Sequence, residues 1–171
     1  MLASPTRWQR PQMDQQRLEV DAAINEDTGN YSIGGAVRDH AGHLLIAFGR
    51  KISKPLSVVH GEMVAIREGL RVIQERELKI HEITTDSLLA VQAVANPAED
   101  FSYIGAIALD IKRLLDGQHK IILTHVRRSA NAVAHKLASF AISSQAPYLW
   151  GPGNFPVWLV DLVMNDLNIS Q

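Results

Sequence analysis

The sequence predicts an α/β domain in which a five-stranded mixed sheet carries helices on both faces. Three strand-like runs joined by short turns, between residues 18 and 51, predict an antiparallel meander. Two later strands alternate with helices, and a strand–helix–strand step joins parallel neighbours through a right-handed crossover. Hydrophobic residues make up 46% of the 171 and charged residues 20%, so a normal apolar core is possible.

The first half of the chain predicts the meander. Its strands are predicted at residues 18–24, 31–38 and 43–51. The connections at 25–30 and 39–42 contain the Asn, Asp and Gly residues that favour turns. Gly34 and Gly35 lie inside the second strand, where paired glycines indicate a bulge or the close approach of another backbone.

The second half of the chain predicts alternating helices and strands. The longest helix is predicted at 57–77 with Ser57 as its N-terminal cap, because apolar residues recur there at spacings of three and four. A helix ended by Asn96 and Pro97 follows the fourth strand. The remaining elements are predicted at 81–85 (strand), 104–115 (helix), 120–127 (strand), 131–142 (helix) and 156–167 (helix). This order places the first strand beside the fourth.

The chain is predicted to have three segments. These are a flexible N-terminal tail at 1–16, the α/β domain at 17–145, and a C-terminal extension with a short helix at 146–171. The tail is polar and contains Pro5 and Pro11, which disfavour a packed helix or strand.

Composition excludes several classes of function. The formal net charge is −1, so any basic surface for nucleic acid must be local. The absence of cysteine excludes disulfides, thiolate metal sites and cysteine nucleophiles. No apolar run approaches the roughly 20 residues that span a bilayer, and residues 1–17 lack the apolar core of a secretory signal. We therefore expect an intracellular protein of the nucleus or cytoplasm, without membrane contact.

Asp21 is the residue that most needs a functional explanation. A carboxylate in the middle of a buried strand is costly unless it is paired or binds a metal. With the first strand beside the fourth, Asp86 at the exit of the fourth strand lies near it, and Glu62 projects from the first turns of the long helix. Taken singly, Asp86 could cap a helix and Glu62 could complement a helix dipole. Their convergence with Asp21 predicts an acidic site instead.

Four motifs occur on the matching elements of a known family. They are Val20-Asp21-Ala22, Gly61-Glu62-Met63-Val64-Ala65, Thr85-Asp86-Ser87 and Asn131-Ala132-Val133-Ala134-His135-Lys136-Leu137-Ala138. Together they resemble the ribonuclease H family, and more narrowly the reverse-transcriptase-like ribonuclease H domains of plants, from about residue 18 to about 142. The resemblance implies hydrolysis of the RNA strand of RNA–DNA hybrids. It also implies two Mg²⁺ ions, with Mn²⁺ possible, held by Asp21, Glu62 and Asp86.

The resemblance has one departure in the site. His135 stands where the family has a fourth carboxylate, and imidazole is a poorer Mg²⁺ ligand that could instead orient a water or carry a proton. Taken alone, His135 could also be an ordinary helix-face histidine. The residues expected to contact the nucleic acid are Asn25, Gly34, Arg127, Arg128 and Asn131. Arg127 and Arg128 could instead form only a solvated turn. We expect a monomer that binds hybrid weakly at physiological salt, because few phosphate contacts are available.

Two alternatives remain open at this point. The domain could keep the fold and bind nucleic acid or a partner without cleaving anything, since a fold does not guarantee its chemistry. It could also be a nuclease of the same superfamily that acts on DNA or on structured RNA.

Overall fold

A computed structural model describes residues 3–97, 102–117 and 119–169. Its strands are β1 (Arg17–Asn25), β2 (Asn30–Arg38), β3 (Leu44–Ile52), β4 (Glu82–Thr85), β5 (Ile122–His125) and β6 (Tyr148–Trp150). Its helices are α1 (Val58–Glu75), α2 (Leu88–Ala95), α3 (Tyr103–Leu115), α4 (Ala132–Ser143) and α5 (Val157–Ile169). Among the described residues, no helix combines the length and apolar content that a membrane crossing requires.

The strands form one mixed sheet in the order β5-β4-β1-β2-β3-β6. β1, β2 and β3 are antiparallel neighbours, whereas β1, β4 and β5 are parallel. The predicted meander and the predicted placement of the first strand beside the fourth are therefore confirmed. The sheet has six strands where the sequence predicted five, because β6 pairs with the edge of β3. This three-residue strand is too short to show the alternation by which strands are recognised.

Helices cover both faces of the sheet, as predicted. Successive side chains of a strand point to opposite faces, so neighbouring positions on β2 meet different elements. A Cβ built on Gly34 would lie against the backbone of Ala138 in α4, whereas one on Gly35 would meet Phe48. The larger apolar core joins the sheet to α1 and α3, and the smaller one joins it to α4 and α5.

Serine side chains cap helices on the face of the sheet that carries the larger core. Ser57 accepts a hydrogen bond of 3.1 Å from the backbone N–H of His60 and so caps α1, as predicted. Ser87 caps α2 in the same way through the N–H of Ala90, at 3.2 Å. Since Ser87 provides this cap, Asp86 is left available for another role, and the capping interpretation of Asp86 does not apply.

A buried ion cluster joins α5 and the N-terminal segment to the sheet. Both Glu19 oxygens accept hydrogen bonds of 2.6 Å from the Arg38 guanidinium, which is only 1% exposed. Asp166 of α5 accepts a further bond of 2.9 Å, and the ring of Trp8 lies 4.0 Å from the guanidinium carbon. Burial acts to lower the pKa of Arg38, but the two carboxylates raise it overall. Both terminal segments therefore attach to the sheet through one arginine.

The N-terminal segment, predicted to be a flexible tail, packs against the domain. Residues 3–16 contain no helix or strand, yet Trp8 is 4% exposed. The carbonyl oxygen of Pro5 accepts a hydrogen bond of 2.8 Å from the backbone N–H of Arg127. The division of the chain at residues 17 and 145 stays a prediction.

Candidate metal centre

Asp21 is the fifth residue of β1 and is almost completely buried. In the parallel register of β1 with β4, Glu19 is the partner of Thr84. Because the two strands run in the same direction, two further residues along each strand bring Asp21 level with Asp86. The sheet register therefore brings these two carboxylates together.

Glu62 lies on α1, and its carboxylate is close to those of Asp21 and Asp86. It is the fifth residue of α1 and lies on the helix face that carries Met63 and Ile66 into the core. One carboxylate oxygen from each of Asp21, Glu62 and Asp86 lies within 4.8 Å of the other two. The Oε2 atom of Glu62 is buried and has no hydrogen-bond partner within the described part of the chain. A buried acceptor in this state is costly unless a cation or a proton satisfies it.

The electrostatics of the cluster follow from this crowding. Burial, reinforced by the Asp21 and Asp86 carboxylates, raises the pKa of Glu62 to about 9. Burial and the Asp21 carboxylate also raise the pKa of Asp86, although Arg128 and His135 oppose the change. In the metal-free protein, Glu62 therefore holds a proton at neutral pH.

His135 and Arg128 form the remaining side of the cluster. The Nδ1 atom of His135, on α4, lies 2.9 Å from Oδ2 of Asp21. An Nη atom of Arg128 lies 3.2 Å from both ring nitrogens of His135. If Nδ1–H donates to the carboxylate, only Nε2 keeps a lone pair to accept from the guanidinium. The position of the expected fourth carboxylate therefore holds a residue that binds Asp21.

The acidic cluster opens into a cleft of about 870 Å³. Arg127 and Arg128, both predicted to contact nucleic acid, line the cleft and are exposed. His125, at the end of β5, lines it as well, and its Nδ1 lies 2.6 Å from the hydroxyl oxygen of Ser4. The cleft thus combines an anionic floor, suited to cations, with a cationic wall suited to phosphate.

Two other predicted nucleic-acid contacts have structural roles. A Cβ on Gly34 would lie 2.3 Å from the backbone nitrogen of Ala138, so the glycine allows α4 to pack on β2. Gly34 is buried and does not line the cleft, and its contact with nucleic acid stays a prediction. Asn25 accepts hydrogen bonds from the N–H groups of Asp27 and Thr28 and so stabilises the turn after β1.

Asn131 lies beneath the cleft surface. It occupies the N-cap position of α4, but its side chain makes no capping hydrogen bond. Its Nδ2 atom instead donates a bond of 2.9 Å to the carbonyl oxygen of Val20. Asn131 is fully buried and fixes α4 against β1 beside Asp21, and its contact with nucleic acid stays a prediction.

The sequence reasoning missed two features of the cleft. Exposed apolar side chains border it at Ile24, Val58, Leu88 and Leu89. Val58 and Leu88 are the first residues of α1 and α2, but they are not among the buried residues of those helices. Apolar residues at such positions were the sequence signal for an exposed apolar border. The second feature is the N-terminal segment, which supports the arginine wall. Pro5 binds the backbone of Arg127, and the hydroxyl of Ser129 donates to the carbonyl oxygen of Thr6.

The donor set fits a hard divalent cation. Three carboxylates from three elements provide the oxygen ligands that Mg²⁺ and Mn²⁺ prefer, and Glu62 Oε2 lacks a partner among the described residues. A cation would also relieve the repulsion that raises the pKa of Glu62. The acidic cluster can therefore bind a metal.

The fold is that of ribonuclease H. The RNase H1 of the halophilic archaeon Halobacterium salinarum NRC-1 is 20% identical with a TM-score of 0.65, over 74% of this chain and 96% of that chain. LC11-RNase H1, isolated from compost by a metagenomic approach and solved with an RNA/DNA hybrid, is 19% identical with a TM-score of 0.65, over 75% and 96%. The protease–reverse transcriptase of prototype foamy virus is 13% identical with a TM-score of 0.61, over 85% and 23%.

The sequence itself defines the family. Residues 19–141 match the reverse transcriptase-like family, and the chain belongs to it. This span agrees with the residues that carried the resemblance. A search among curated proteins returned no match.

Proposed function

We propose that this protein is a metal-dependent endoribonuclease that hydrolyses the RNA strand of RNA–DNA hybrids. The observation that carries the proposal is the convergence of Asp21, Glu62 and Asp86 within 4.8 Å of one another. Membership of the reverse transcriptase-like family supports it, and so does a fold shared with an RNase H1 that was solved with an RNA/DNA hybrid.

Asp21, Glu62 and Asp86 would hold two Mg²⁺ ions, or Mn²⁺. Bound ions supply an activated water and stabilise negative charge on the reacting phosphate. Binding would also displace the proton that Glu62 carries in the metal-free protein. All three residues are therefore needed in their ionised form.

The cationic side chains would handle the substrate. Arg127 and Arg128 face the cleft and would bind the phosphates of the hybrid. His135 holds the Asp21 carboxylate through Nδ1 and so orients the central ligand. The family's fourth carboxylate is replaced by this orienting contact.

The direct test is cleavage of a labelled RNA–DNA hybrid with Mg²⁺ or Mn²⁺. We expect metal-dependent cleavage that falls by more than about a hundredfold in Asp21→Asn, because the variant loses the central ligand. Asp27→Asn, in the exposed turn after β1, is the matched control and should cleave like the wild type. Equal cleavage by Asp21→Asn and the wild type would refute the proposal.

The same assay decides the substrate. Duplex DNA and duplex RNA of the same sequence should be cleaved much more slowly than the hybrid. Preferential cleavage of either duplex, still dependent on Asp21, would assign the metal centre to a nuclease of different specificity.

A second candidate function is binding of nucleic acid without cleavage. It is favoured by the contact of His135 with Asp21 and of Arg128 with His135, because these groups offset part of the negative charge of the carboxylates that a metal would otherwise neutralise. A folded protein that binds hybrid but cleaves nothing with either ion would establish it.

A further inference from the structure

We propose that α5 completes a second nucleic-acid site, which holds an unpaired nucleotide next to the metal cleft. This inference rests on the proposed function, because the nucleotide would belong to a strand of the RNA–DNA hybrid that is bound in the metal cleft. A cavity of about 530 Å³ lies between α4 and α5. Arg128, Ser129 and His135 line both this cavity and the metal cleft, so the two are continuous. A strand that leaves the cleft on this side would enter the cavity directly.

Two helices and the turn before α4 form the cavity. Ala132, His135 and Lys136 lie on one face of α4, at spacings of three and four. Trp158 and Leu162 lie on one face of α5, at a spacing of four. The neighbouring residue Leu159 is fully buried in the smaller core and so fixes α5 against the sheet. The cavity is therefore built on packed elements.

Trp158 provides an aromatic surface for a base. Its side chain is half-buried, and its ring centroid lies 5.1 Å from that of Phe140 and 6.2 Å from that of Trp150. These rings hold the indole in place, so stacking a base on it would cost little conformational entropy. Aromatic side chains bind unpaired bases in this way with little dependence on sequence.

The charges around the cavity complement a phosphate. Arg128 and Lys136 line it and are exposed, whereas none of its lining residues in the described part of the chain is a carboxylate. The metal cleft, by contrast, has three carboxylates in its lining. An apolar and aromatic floor beside two cations matches one nucleotide, and binding there would need no divalent ion.

The surface of α5 also has an apolar stripe that could join two copies of the chain. Val157, Val160 and Met164 are exposed on this helix, but none of them lines the cavity. The continuity with the metal cleft and the two cations therefore favour nucleic acid as the occupant of the cavity.

The test compares labelled hybrids by fluorescence anisotropy in EDTA, so that cleavage cannot interfere. One hybrid is blunt, and four others each carry a single-stranded extension of about six nucleotides at a different strand end. In the wild type, an extension at one of these ends should raise affinity about tenfold. Trp158→Leu should abolish this gain while leaving the affinity for the blunt hybrid unchanged. Met164→Ala, on the same helix but outside the cavity, should keep it.

Lys136→Gln tests the phosphate contact independently of folding, because the side chain is exposed. It should lower the slope of log affinity against log salt for the extended hybrid by about 0.7. Equal affinities of the wild type for blunt and extended hybrids would overturn the proposal. So would self-association that Trp158→Leu abolishes without any effect on nucleic-acid binding.

The outcomes separate this site from the proposed function. Metal-dependent cleavage of the hybrid with no gain from any extension would remove the second site and leave the nuclease. Binding of a single-stranded oligonucleotide that depends on Trp158, without cleavage of any hybrid, would support the site and remove the nuclease.

Discussion

Glu19 and Asp21 lie two residues apart on β1, both are buried, and they have opposite surroundings. Glu19 binds the Arg38 guanidinium through both oxygens, at 2.6 Å. Asp21 lies instead among two further carboxylates and receives a contact from His135. The protein thus neutralises one buried carboxylate with its own cation and concentrates like charges around the other.

The two carboxylates of β1 therefore differ in role: Glu19 stabilises the fold, and Asp21 belongs to the acidic cluster. Arg38 neutralises the Glu19 carboxylate within the chain, although Nη1 of Arg38 is buried without a hydrogen-bond partner among the described residues, and the pair holds the terminal segments on the sheet. The crowded carboxylates are stable only with protons or a bound cation, so a metal could bind there. The predictions below test each half of the comparison.

The largest expected effect is on the buried pair of Glu19 and Arg38. Arg38→Met should lower the free energy of unfolding by about 3–5 kcal/mol, because it leaves Glu19 charged and buried without a partner. Urea unfolding measures this loss. The double variant with Glu19→Met should recover part of it, since the most buried charge is then removed and only Asp166, whose side chain is 12% exposed, is left without its cation.

The matched control is another arginine–carboxylate pair at the surface. Arg50 and Glu68 lie 2.7 Å apart, but Arg50 is 42% exposed. Arg50→Met should therefore cost less than about 1 kcal/mol. A similar loss in both variants would contradict the distinction between buried and exposed pairs.

The second prediction concerns the crowded carboxylates and pH. Burial and its acidic neighbours raise the pKa of Glu62 to about 9 from its ordinary value of 4.5. The folded state therefore binds the proton more tightly than the unfolded chain does. The stabilising contribution is fully present below pH 4.5 and is lost as the pH rises towards 9. The melting temperature of the metal-free protein should fall over this range.

Glu62→Gln provides the control, because its neutral amide cannot titrate. The variant should show a flatter dependence of melting temperature on pH than the wild type. Mg²⁺ should stabilise the wild type most at alkaline pH, where Glu62 is ionised, and the variant much less. Parallel pH profiles for the two proteins would remove Glu62 as the titrating group.

The smallest expected effect is at His135. His135→Asp should raise Mg²⁺-supported cleavage by up to about tenfold, because it restores a hard oxygen ligand at the fourth position. The wild type should prefer Mn²⁺, which tolerates imidazole better. His135→Asn adds no charge and should give no gain. Unchanged rates and unchanged metal preference in His135→Asp would remove this residue from the metal centre.

Much of the fold and the acidic cluster could be predicted because local signals agreed with topology. Ser57 and the apolar spacing after it marked α1, and the right-handed crossover placed β1 beside β4. Once those two strands are neighbours, Asp21 and Asp86 must lie close together. A single strand order therefore determined most of the acidic cluster.

The ion cluster could not be predicted, because its members are distant in sequence. Asp166 is 128 residues from Arg38, and nothing near either residue signals the contact. An arginine at the end of a strand is ordinarily expected in solvent, and the same holds for Trp8 in a polar, proline-containing segment. The burial of both residues depends on packing between the two ends of the chain.

The short strand β6 has a consequence for solubility. Without it, the nine-residue strand β3 would present a long edge of unpaired backbone groups, which promotes aggregation by strand pairing. β6 pairs with Ala47, Phe48 and Gly49 in the middle of this edge and so divides the rest of it into two stretches of three residues, 44–46 and 50–52. The C-terminal extension therefore protects the sheet against joining another sheet edge to edge.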